Sequence, residues 1–122
     1  MNGERIVVDT SVLIDLAGGD KDMAKVLNGS EIIISIITAI EFLAWPKLTA
    51  AGVPIANALL DQYYTENIGR QIRDRAAWIK RHHKLKLSDA VIAATAMHLK
   101  APLITRDKGF NKLSDLIEVR SV

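Results

Sequence analysis

Four short apolar runs, at residues 6–8, 32–37, 102–105 and 116–119, carry almost no polar alternation. A strand with one solvated face alternates apolar and polar residues. Runs without alternation fit strands buried on both faces, as in a parallel sheet covered by helices. The segments between them read as helices. Asp20 is placed to cap DMAKVLN, which stops at Gly29, and residues 38–45 form a turn or two ended by Pro46. A further amphipathic piece covers 55–65, entered through Gly52 and Pro54. The stripe of Ile72, Ala76 and Ile79 predicts a longer helix over 70–83. Ser88 stands where an N-cap belongs for DAVIAATAMHLKA, which Pro102 closes. Strands alternating with helices predict an α/β domain with a parallel sheet, and 122 residues suffice for one core, so residues 1–122 form a single domain.

Composition removes several classes. Hydrophobic residues at 49% and charged residues at 25% argue against disorder. The absence of cysteine leaves no disulfide framework and no thiolate metal site, so nothing points to secretion. MNGERIVVD lacks the apolar core of a signal peptide, and IIISIITAI is too short to cross a bilayer and ends at Glu41. The expectation is a cytoplasmic protein with no membrane partner. A net charge of +2 is too mild, as a sum, to declare a nucleic-acid binder.

The stretch IVVDTSVLID places Asp9 directly after an apolar strand, where an unpaired charge is costly. Thr10 and Ser11 read as a polar turn that returns residues 12–14 to the core. Glu41 lies just past the second strand, Asp89 starts an alanine-rich helix, and Asp107 follows PLIT by two residues in TRDKGF. In an open parallel sheet the carboxyl ends of the strands share one edge, where ligands bind. Asp9, Glu41 and Asp107 can meet there, and Asp89 joins them if its helix starts at that edge. Clustered carboxylates raise one another's pKa, and a divalent cation compensates them. An all-oxygen donor set favours Mg²⁺ or Mn²⁺ over Zn²⁺, which suits metal-assisted hydrolysis of a phosphodiester. Each acid, taken singly, also reads as a cap or turn former. Glu41 resists that reading, because Ile40, Phe42 and Leu43 surround it in a segment apolar enough to be mostly buried.

DTSVLIDL, TAIEFL, LSDAVIAATA and LITRDKGF, in that order and over nearly the whole chain, resemble a PIN-domain ribonuclease, most closely the toxin of a VapBC-type toxin–antitoxin pair. The resemblance implies a three-layer α/β/α sandwich with a central parallel sheet. It implies that Asp9, Glu41, Asp89 and Asp107 bind one or two Mg²⁺ or Mn²⁺ ions for endonucleolytic RNA cleavage that leaves 5′-phosphate and 3′-hydroxyl ends. Asp9 and Asp89 would be the principal ligands. Asp107 would complete the site, and Glu41 would bind metal or help activate water. Ser11 and Thr105 map to hydroxyl positions that orient ligands or substrate, and Thr38 matches a Thr-x-x-Glu pattern or simply caps its helix. In such toxins the region AWPKLTAAGVPIANALLDQYY forms a helical hairpin that grips a VapB-type antitoxin and contributes to a homodimer.

Seven basic residues lie between Arg70 and Lys86 against one acid, Asp74. Such a run binds phosphates or is simply a solvated helix face. Lys84 and Lys86, closest to Asp89, are the candidates for orienting RNA. His82 and His83 read as surface residues at a helix end, and Trp45, Tyr63, Tyr64 and Trp78 as core or interface anchors. Two other functions stand beside the toxin: a PIN-fold nuclease of RNA processing without an antitoxin, and a non-catalytic RNA- or protein-binding module. A phosphatase built on a strand-end Asp ranks lower, since Ser11 stands where a second carboxylate is expected.

Overall fold

The computed structural model describes residues 3–122, so Met1 and Asn2 of MNGERIVVD lie outside the described residues. The chain runs β1 (Arg5–Val8), α1 (Thr10–Ala17), α2 (Lys21–Leu27), β2 (Glu31–Ser35), α3 (Ile36–Leu43), α4 (Val53–Leu60), β3 (Tyr64–Glu66), α5 (Arg70–His82), α6 (Leu87–Leu99), β4 (Leu103–Thr105), a 3₁₀ helix (Lys108–Leu113) and β5 (Val119–Ser121). The strands form one sheet in the order β3-β2-β1-β4-β5, with every neighbouring pair parallel.

Alternate residues of the central strands point to opposite faces, and both faces are covered. Ile6, Val8, Ile34 and Ile104 pack against Val12, Leu13, Met23, Leu27, Phe42 and Leu60 from α1 to α4. Val7, Ile33 and Leu103 pack against Ile72 and Ile79 of α5, the Ala90–Ala96 stretch of α6, and Phe110 and Leu113 of the 3₁₀ helix. This is the expected three-layer α/β/α sandwich. Helix α6 is apolar on nearly every side because it lies between the sheet and α5, and its alanines let it approach both closely. It ends on Lys100, whose φ of 53° is left-handed, a conformation that costs an L-residue roughly 1 kcal/mol.

Several local expectations are corrected. Thr10 and Ser11 are not a turn; they open α1, because Asp9 caps it, and Val12 and Leu13 reach the core from that helix. Ile36 and Ile37 leave the strand early, since the Ser35 hydroxyl accepts the Ile37 N–H and starts α3; Ser35, not Thr38, is its cap. The amphipathic piece at 55–65 ends at Leu60, and Tyr64–Glu66 adds an edge strand beside β2. The last strand is Val119–Ser121, displaced from 116–119 by a turn in which Ile117 N–H bonds to Leu113. Ser88 is not the cap of α6, which begins at Leu87 after Lys86.

Sequence order reverses around β1. From there the chain moves outward through β2 and β3, then returns to the other side with β4 and β5. Between β1 and β4 the sheet therefore has a switch point, where neighbouring connections diverge and leave a crevice beyond the strand ends. Asp9 follows β1 and Thr105 ends β4, one on each side of it.

Candidate active site

Asp9 is 3% exposed. One carboxylate oxygen caps α1 by accepting the Val12 N–H at 2.9 Å, and the other accepts the hydroxyl of buried Thr105. Burial pushes its pKa up; the two hydrogen bonds oppose this, and the charges of Asp107 and Asp15 add to it. The Thr105 oxygen in turn accepts the Asp107 N–H at 2.9 Å, so one hydroxyl ties the acid after β1 to the loop after β4. Asp107 is exposed and caps the 3₁₀ helix through the Gly109 N–H at 2.8 Å. Asp9 and Asp107 are thus helix caps, and both remain candidate ligands.

Glu41 projects from α3 toward the N-terminus of α1, where its Oε1 accepts the Thr10 hydroxyl at 2.6 Å. Thr38 Oγ1 lies 3.3 Å from Thr10 Oγ1. A carboxylate can only accept, so the Thr10 proton is committed to Glu41 and the Thr38 hydroxyl serves the second contact. Glu41 is half-buried, which corrects the expectation of a mostly buried segment. Ile40 is 54% exposed and Leu43 38%, because only one side of α3 faces the sheet. Asp89, in the first turn of α6, is also half-buried. Its pKa is raised first by burial and then by the charge of Asp107, with smaller contributions from Asp9 and Glu41, while Lys86 pulls it down.

These four acids, with Thr10, Ser11, Lys86 and Ser88, line one cleft of about 200 Å³. Sequence reasoning assigned Ser11 and Lys86 here but took Thr10 for a turn and Ser88 for a cap; neither has a local pattern that marks it. Thr105 stands behind the cleft as the support of Asp9. Lys84 lies outside it, in an adjoining concavity that shares Lys86. Larger concavities exist elsewhere, about 670 Å³ on α5 and α6 with one acid, Asp74, and about 470 Å³ between α1, α3 and α4 with none. Neither gathers carboxylates, so neither competes as a cation site.

Among the described residues, no three acidic or imidazole side chains already stand in a coordinating arrangement. The chemistry of the donor set nevertheless fits a hard divalent cation. Four carboxylates and three hydroxyls face one small space, and burial, with the neighbouring carboxylate charges adding to it, raises the pKa of Asp89.

A parallel α/β/α sandwich with carboxylates gathered at its switch point defines a class of domain that binds ligands at the carboxyl edge of the sheet. Residues 6–116 match the family model of the PIN domain, and the chain belongs to that family. No curated protein matches the chain. Among solved structures, a toxin–antitoxin complex from Klebsiella pneumoniae contains a similar chain, with 29% identity, a TM-score of 0.82 and coverage of 95% of this chain and 96% of that one. VapBC-1 from nontypeable Haemophilus influenzae is similar at 20% identity and TM-score 0.77, over 96% of this chain and 97% of that one. VapBC2 from Rickettsia felis, bound to a promoter DNA fragment, is similar at 13% identity and TM-score 0.79, over 97% and 98%. The last two likenesses speak for the fold alone.

Proposed function

We propose that this chain is a metal-dependent endoribonuclease and the toxin of a type II toxin–antitoxin pair. The observation that carries the reading is the convergence of Asp9, Glu41, Asp89 and Asp107 on one cleft at the switch point. Asp9, Asp89 and Asp107 hold Mg²⁺ or Mn²⁺, with Glu41 binding metal or assisting the attacking water. When bound, the cation polarises the phosphodiester and lowers the pKa of a water. The chain's own groups prepare the site. Thr105 and the α1 backbone orient Asp9, Thr10 orients Glu41, and Lys86 offsets part of the negative field beside Asp89.

The toxin role is supported by PIN-family membership and by likeness to a chain of a toxin–antitoxin complex at 29% identity. The apolar groove between α1, α3 and α4, lined by Ile14, Phe42, Trp45, Leu48, Ile55 and Leu59, suits an amphipathic segment of an antitoxin. The AWPKLTAAGVPIANALLDQYY region supplies most of it, and a homodimer completes the proposed assembly. The test is cleavage of RNA by purified protein with Mg²⁺, Mn²⁺ or chelator. Cleavage in metal that is lost in Asp89→Asn supports the reading; equal cleavage by the parent protein and Asp89→Asn overturns it.

A further inference from the structure

Without its cation the acidic cleft repels the polyanion it is proposed to cut, so metal-independent affinity for RNA has to come from outside it. Beside the cleft, the end of α5 and the turn into α6 enclose a concavity of about 590 Å³ lined by Arg81, His82, His83, Lys84 and Lys86, among others. Lys86 lines both spaces, so the two adjoin at that residue. Among the described residues, Arg81, Lys84 and Lys86 form no ion pair, whereas Arg73, Arg106 and Arg120 are each held by acids. The turn itself is braced from both sides. Lys80 Nζ donates to the Leu85 carbonyl at 2.8 Å, and Lys112 Nζ donates to the Lys84 carbonyl at 3.0 Å. Two cations thus fix the turn, and three others, outside any ion pair, lie on a braced surface beside the cleft, with Lys86 also facing the field of Asp89.

We propose that single-stranded RNA leaves the cleft over this turn, with its phosphates on Lys86, Lys84 and Arg81 in succession. The proposal rests on the nuclease reading and adds the direction in which the substrate runs. It places the sequence-independent affinity at one end of α5 and not along the whole basic helix. Arg70, at the other end, and Arg75, midway along the helix, take no part; Arg75 lines a separate concavity with Trp78 and Met97.

The experiment measures binding of a fluorescein-labelled oligouridine by anisotropy in chelator, across a salt series, for the parent protein, Arg81→Ala/Lys84→Ala and Arg70→Ala/Arg75→Ala. Both pairs are exposed, so both double variants are expected to fold. The track predicts that Arg81→Ala/Lys84→Ala binds several-fold more weakly. Its salt slope flattens by about 0.7 per lost contact, about 1.4 for the pair. Arg70→Ala/Arg75→Ala binds like the parent. Parental affinity and slope in Arg81→Ala/Lys84→Ala overturn the proposal, as do equal losses in both double variants or a parent protein that does not bind the RNA. Cleavage with Mn²⁺, run in parallel, separates the two levels. A parent protein that leaves RNA uncut sinks the nuclease reading, whereas normal cleavage with undiminished binding by Arg81→Ala/Lys84→Ala sinks the track alone.

Discussion

The Thr10 hydroxyl donates to the Glu41 carboxylate at 2.6 Å, joining the first turn of α1 to α3 across 31 positions of sequence. This contact sets where Glu41 stands relative to Asp9, the residue that caps α1. Thr10→Val keeps the shape and removes the donor. It is expected to lower stability by about 1 kcal/mol in urea denaturation and to lower the RNA cleavage rate by much more than that loss implies. Thr10→Ser should restore both.

Thr105 serves two partners through one hydroxyl, donating to Asp9 and accepting from the Asp107 backbone. Thr105→Val leaves a buried carboxylate without its donor and a backbone N–H without its acceptor. We expect a loss of about 2 kcal/mol in chemical denaturation and a weakened Mn²⁺ affinity by calorimetry. Thr105→Ser is expected to recover most of each.

Asp89 and Asp9 both have folded-state pKa values raised, chiefly by burial. A raised carboxyl binds its proton more tightly when folded, so the charged form destabilises the metal-free protein. That penalty is present above the folded pKa and is relieved as pH falls toward the ordinary value of 3.8. Glu4 and Asp20 have the opposite sign, because hydrogen bonds lower their pKa values: from Arg120 to Glu4, and from the Met23 backbone and Arg106 to Asp20. Their contribution is lost only as pH falls through values below 4.5 and 3.8. Thermal melts in chelator should therefore show greatest stability in mildly acidic buffer. Asp89→Asn should melt higher than the parent at neutral pH, with a smaller gain on acidification.

Gly109 leaves room for the Asp107 carboxylate. A Cβ built there would sit 3.1 Å from Asp107 Oδ1, so Gly109→Ala must displace that oxygen. Melting temperature is expected to change little, since the 3₁₀ helix is short and its cap exposed. Mn²⁺ affinity by calorimetry should fall several-fold.

The site was legible in the sequence because strand–helix alternation places strand ends at one edge, so Asp9, Glu41 and Asp107 could be assigned before any geometry was known. Helix α1 was hidden because its first residues, Thr10 to Ile14, are β-branched or aliphatic apart from Ser11 and continue the apolar look of β1. What starts the helix is the Asp9 cap, a tertiary as well as a local event. Strand β3 is three residues at the sheet edge, with no Gly or Pro separating it from the preceding helical pattern. The burial of Glu41 was overread, since the surrounding apolar residues partly face outward. Thr10 and the bracing Lys112 depend on contacts between distant segments and leave no periodic trace.

The proposed metal site is the cleft that Asp9, Asp89 and Asp107 share with Glu41. Anomalous diffraction from crystals of the protein grown with Mn²⁺ tests it most directly. An anomalous peak is expected inside the cleft, within coordinating distance of Asp9 and Asp89. Metal-dependent RNA cleavage in solution with no peak in that cleft, or with the metal bound at another site, would contradict it.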